Sequence, residues 1–240
     1  MRYHLLSILL GLATAVAVST PLNVQAQSKI YQFVGGKESV NFDAEALDVL
    51  KSLGLTLASV ENTAVPAPGY TYAFDVIPTS ANSSVQSSTF TFNYDDATKE
   101  FIPISGTVDL TGSLFFNVDR TKLALPPQLE LGDLSAQPAV DLDVIDKANT
   151  GLPIFTLEVL APPNVDLENR TVTLNFNALA SQEFSDFLVA AGASQPIAGL
   201  KLGEIQGDRN IALVPEPGTV LAILMAASSA LALGKRHRIM

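Results

Sequence analysis

An apolar period of two through the middle of the chain restricts its fold more than any other feature. Tyr70, Tyr72, Phe74 and Val76 alternate with Thr71, Ala73 and Asp75, and Phe90, Phe92 and Tyr94 alternate with Thr89, Thr91 and Asn93. Successive side chains of a strand point to opposite faces, so each segment reads as a strand with one buried face. Asp95-Asp96-Ala97-Thr98-Lys99-Glu100 then supplies a polar turn into 101–104, which predicts a hairpin. Further strands are expected over 107–110, 113–119, 140–145, 154–160 and 171–176, the last with Val172, Leu174 and Phe176 inward. Pro126-Pro127, Pro162-Pro163 and Pro66-Ala67-Pro68-Gly69 punctuate them. Many short strands without regular intervening helices predict a mostly β fold, an antiparallel sandwich or barrel.

Two short helices interrupt that pattern. The first is expected to start at Asp43 as N-cap, with Ala46, Leu50 and Leu53 on one face and Gly54 ending it. The second has Ser181 as cap, Glu183 near its positive end, a stripe of Phe184, Phe187, Leu188 and Ala191, and Gly192 as its stop. Each stripe reads as a face packed on a sheet. Val40-Asn41-Phe42-Asp43-Ala44 and Leu174-Asn175-Phe176-Asn177-Ala178 echo one another just before the two helices. Duplication and chance both account for so short an echo.

The order strand, helix, Gly, strand over 30–61 resembles HtaA-type haem-transport domains of bacterial surfaces. Between the terminal segments the chain has no histidine, so haem binding would need a tyrosine such as Tyr31. We expect no cofactor.

Both ends carry addresses. Arg2, an apolar run over 5–18, a break at Pro21 and Val24-Gln25-Ala26 have the form of a secretory signal peptide over 1–26, cleaved after Ala26. At the other end, Val214-Pro215-Glu216-Pro217-Gly218 leads into an uncharged apolar run over 219–233 and then Gly234-Lys235-Arg236-His237-Arg238. Such a run can enter a bilayer as a helix, and Lys235, Arg236 and Arg238 would hold its end on the cytoplasmic side. This places the body, 27–213, on the far side. At about 1.5 Å per residue the run spans roughly 22 Å, short of a hydrocarbon core of about 30 Å.

The order Pro-Glu-Pro, short apolar helix, basic cluster over 214–240 resembles the PEP-CTERM sorting signal of bacterial exosortase substrates. That resemblance implies export by the Sec translocon, removal of 1–26 by signal peptidase and a transient stay in the inner membrane through a single transmembrane sorting helix. Cleavage near Pro215, Glu216 and Pro217 by an exosortase-type enzyme would follow. The destination it implies is the cell surface or the extracellular matrix.

Charge and residue usage narrow the chemistry of the body. Of the 14 basic and 24 acidic residues, Arg2, Lys235, Arg236, Arg238 and Glu216 lie in the terminal segments, which leaves 10 against 23 in between. Such a surface repels nucleic acid and anionic lipid, and no basic cluster offsets it. Cys and Trp are absent, and both histidines, His4 and His237, lie in the terminal segments. Cys-His and Ser-His-Asp catalysis, thiolate or imidazole zinc and His-ligated haem are thereby excluded. A carboxylate pair, a Ser-Lys dyad or an oxygen-ligand calcium site is left. Asp141, Asp143 and Asp146 form the sharpest acidic cluster, and Asp141 and Asp143 share a strand face. With no glycine-tight loop and no suitably spaced Glu, this cluster reads as a solvated face, as do Asp95 and Asp96, and no metal is expected.

The expectation is an exported, non-enzymatic cell-surface or matrix protein, associated with exopolysaccharide or biofilm. Its alternatives are a secreted carbohydrate-active hydrolase working through a carboxylate pair and a surface ligand-binding module.

Overall fold

The computed structural model describes residues 28–80, 86–138 and 142–215. Its elements, in chain order, open with β1 (Lys29–Phe42), α1 (Ala44–Leu53), β2 (Leu55–Val60), β3 (Tyr72–Asp75), β4 (Thr91–Asp95), β5 (Glu100–Ser105), β6 (Val108–Asp109) and β7 (Ser113–Val118). There follow β8 (Gln128–Gly132), β9 (Ser135–Ala136), β10 (Asp143–Ile145), β11 (Pro153–Val159), β12 (Asn164–Asp166), β13 (Thr171–Ala180), α2 (Gln182–Ala190) and β14 (Lys201–Leu213).

The large sheet runs β5-β4-β1-β14-β13-β11-β10-β9-β6, with β12 on β13 and β3 on β1, all antiparallel. It curls until its far members meet. Val76, just past β3, bridges Leu110, just past β6, where Ile77 N–H donates to Asp109 O at 2.8 Å and Thr111 N–H to Asp75 O at 3.0 Å. The expected choice between sandwich and barrel is thus met by one curled sheet, with the three-stranded sheet β2-β7-β8 beside it.

Strand alternation builds the interior. Along β13, Val172, Leu174, Phe176, Ala178 and Ala180 are buried and their neighbours half-buried, so the inward face expected over 171–176 runs four residues further. The predicted hairpin is β4–β5, turned by the Asp95 carboxylate, which accepts from Ala97 N–H at 2.8 Å and Thr98 N–H at 3.2 Å. On β3 simple alternation fails: Ala73, expected outward, is as buried as Phe74. The segment from Asn62 to Tyr70 folds over the outside of β3, with Asn62 Oδ1 accepting from Ala73 N–H at 2.8 Å. Outward residues of β1 hold this segment, Ser39 through Ala67 N–H at 2.9 Å and Asn41 through Gly69 O at 2.7 Å.

Both helices form where expected. Ser181 Oγ accepts from Phe184 N–H at 3.0 Å, a working N-cap, and Gly54 takes the left-handed conformation (φ 107°) that ends α1. Asp43 precedes α1 but makes no side-chain capping bond. The sequence echo is out of register: Phe42 ends its strand, whereas Phe176 lies inside β13. Because α1 follows β1 and α2 follows β13, and the ends of both strands pair with the start of β14, both helices sit at one end of the curled sheet. The other end holds the start of β1 and the end of β14, paired at Tyr31 and Leu213.

No helix among the described residues is long and apolar enough to cross a membrane. The signal peptide with its cleavage point at Ala26, the run over 219–233, Glu216 and Pro217, and Lys235, Arg236 and Arg238 lie outside the described residues. Pro215 is described and exposed, two residues beyond the end of β14.

Candidate functional site

Two diagonal neighbours on β1 and β14 break the apolar rule of the interior. Glu38 is 4% exposed and Arg209 is 5% exposed. Their side chains form an ion pair through Arg209 Nη2 and Glu38 Oε1. Gly207, the register partner of Glu38, makes room for it. A Cβ there would lie 2.8 Å from Glu38 Oε2 and 3.1 Å from Arg209 Nε. The guanidinium carbon also sits 5.3 Å from the ring centre of Phe33, within cation–π reach. Burial pulls the Arg209 guanidinium well below its ordinary value, to about 9. Glu38 opposes that pull, so the group stays cationic at neutral pH.

On one side of Arg209 lies a small cavity of about 40 Å³ that Glu38 also lines, among Val40, Phe74, Leu110 and Ile205. On the other side lies a larger pocket of about 240 Å³. Buried Phe33, Phe90, Leu157, Leu174 and Phe176 make its inner wall, and the more exposed Phe101, Pro103, Pro138, Leu142, Val159 and Pro163 make its mouth. It lies toward the end of the sheet opposite the helices, because Phe33 is near the start of β1 and Val159 closes β11. Among the described residues, Arg209 is the single charged one lining it. Arg209 Nε and Nη1 and Glu38 Oε2 have no hydrogen-bond partner among the described residues. Buried donors without acceptors are costly, so unsatisfied N–H groups of a buried guanidinium at a cavity wall mark a place built to receive an acceptor.

The residues singled out from sequence lie elsewhere. Tyr31 stacks on Phe92 at 5.7 Å between ring centres and lines a separate pocket with Leu167, Arg170 and Leu213, not the apolar pocket. Burial, with Asp96 nearby, raises its hydroxyl above the usual 10.0. Of the acidic cluster, Asp141 lies outside the described residues. Asp143 is half-buried and accepts from Thr156 Oγ1 at 2.7 Å. Asp146 is fully buried, which overturns the solvated-face expectation at that position. It accepts from Gly132 N–H, Ala148 N–H, Thr150 N–H and Thr150 Oγ1 at 2.7–3.2 Å and ties β8 to the turn after β10. The β10 strand begins at Asp143, where the sequence pattern placed it from Val140. Another buried carboxylate, Asp109, accepts from Ser135 Oγ and pairs with Lys147 Nζ at 3.0 Å. No group of three or more potential metal ligands gathers among the described residues.

Sequence reasoning missed Glu38 and Arg209. The usable signal was in β14, where Gly207, Arg209 and Ile211 keep the period of two and are all buried. Glycines and polar residues between them hid the strand.

The chain matches no protein-family model and no curated protein. Among solved structures, the C-terminal domain of HtaA from Corynebacterium glutamicum is similar at 16% identity and a TM-score of 0.44, over 76% of this chain and 99% of that one.

Proposed function

We propose that this chain is an exported, non-enzymatic β module, delivered to the cell surface or extracellular matrix by a PEP-CTERM-type signal over 214–240 and associated there with exopolysaccharide or biofilm. One observation supports the reading: the described residues open with β1 and close with β14, so the paired strands come within a few residues of both proposed processing points. Lys29 starts β1 three residues past Ala26, and Leu213 ends β14 two residues before Pro215. Sec and signal peptidase would act at one boundary and an exosortase-type enzyme at the other, after a transient membrane stay. Each proline fixes its own φ, and Pro217 biases Glu216 away from helix, which keeps the motif extended for a sorting enzyme. Replacing Pro215, Glu216 and Pro217 together with alanine is expected to leave an uncleaved precursor in the membrane fraction. Release at the wild-type rate would mean a motif-independent protease removes the tail.

A second reading, compatible with the first, is a surface ligand-binding module. The apolar pocket with Arg209 in its wall supports it. The hydrolase alternative gains less from the geometry. Glycoside hydrolysis needs two carboxylates facing across a groove, about 5–9.5 Å apart. Among the described residues, Glu38 is the one carboxylate lining the two cavities beside Arg209, and it is already paired with Arg209.

A further inference from the structure

We infer that the apolar pocket between β5 and the end of β11 binds a small, uncharged apolar molecule that presents one carbonyl oxygen to Arg209. This rests on the ligand-binding reading and is independent of how the chain is delivered.

Size comes first. At about 30 Å³ for each water-sized group, a pocket of about 240 Å³ takes roughly eight. That suits a single ring or a short branched chain. Chemistry comes next. Phe33, Phe90, Leu174 and Phe176 offer only apolar surface, so the body of the ligand must be apolar. The exception is Arg209, nineteen-twentieths buried, with Nε and Nη1 lacking acceptors among the described residues. A guanidinium donates and never accepts, so the ligand must bring an oxygen acceptor.

Charge decides between a carbonyl and a carboxylate. Glu38 already neutralises Arg209. A carboxylate would add a second anion to one buried cation and lose its hydration on entering an apolar wall. A carbonyl gains the charge-assisted hydrogen bond without that loss. The mouth agrees with such a ligand, since Val159 at the rim is 47% exposed and Leu160 beside it 51%. An apolar molecule meets apolar surface on the way in.

Acetophenone, ethylbenzene and benzoate have nearly the same shape and differ in the oxygen and its charge. Titrating each into the purified full chain, followed by amide chemical shifts, is expected to give the order acetophenone, ethylbenzene, benzoate. The first step should be about tenfold, the worth of one hydrogen bond to a charged donor. The double variant Glu38→Leu with Arg209→Met is expected to bind acetophenone and ethylbenzene equally, keeping the pocket and losing the preference. Val159→Trp, a rim substitution that leaves the interior alone, should weaken acetophenone at least tenfold. Equal binding of acetophenone and ethylbenzene by the wild-type chain, tighter binding of benzoate, or an undiminished Val159→Trp would each overturn the proposal. Fractionation of the alanine-substituted sorting motif reads delivery alone, so failure of either idea shows separately.

Discussion

Glu38 and Arg209 hold each other in place, and neither is tolerable alone at their burial. Removing one partner leaves an uncompensated charge in a medium that solvates it poorly, whereas replacing both with apolar side chains removes the problem. Arg209→Ala is therefore expected to destabilise the fold by about 3–5 kcal/mol, and the Glu38→Leu, Arg209→Met pair to lie near wild type or above it. Urea unfolding of the three proteins checks this. If the double variant were as unstable as the single one, the pair would be holding the sheet together rather than equipping the pocket. Gly207 belongs to the same unit, because any larger residue would push its Cβ into the two charged groups. Little of this unit was legible from sequence. A charge in a strand betrays its burial only through the phase of the apolar residues around it, and in β14 glycine occupies two of those positions, Gly203 and Gly207.

Elements differ in how openly they were written. The helices announced themselves because their signals are local: apolar spacing, a cap and a terminating glycine, all within about ten residues. Even so, the two caps are unequal. Ser181 accepts a hydrogen bond from Phe184 N–H, and Asp43 accepts none from the first turn of α1. Ser181→Ala should thus cost about 1 kcal/mol and Asp43→Ala only a few tenths, measurable as a difference in denaturation midpoint. Equal losses would mean that Asp43 works through Lys201, whose Nζ lies 3.9 Å away. Short strands such as β9 and β12 were invisible for the opposite reason. Two or three residues carry no period, and although β10 and β13 follow closely, β9 also pairs with β6, well back in the chain. Pairing of that kind is decided by tertiary contacts rather than by local preference.

For the whole molecule, the alternating segments foretold the class, and the curl that joins Val76 to Leu110 depended on contacts no window of sequence contains. That closure, and the antiparallel adjacency of β1 and β14, also give the module a mechanical grain. Ladder hydrogen bonds lie across the strands. Pulling Lys29 away from Leu213 loads the pairs between β1 and β14 one at a time from Tyr31 inward, as a zipper opens. Pulling Leu213 against α1 instead draws β14 lengthwise past β1, so the bonds between the two strands resist together. Force spectroscopy should find a clearly higher rupture force for the second pair of attachment points, and comparable forces would mean that the sheet fails elsewhere first.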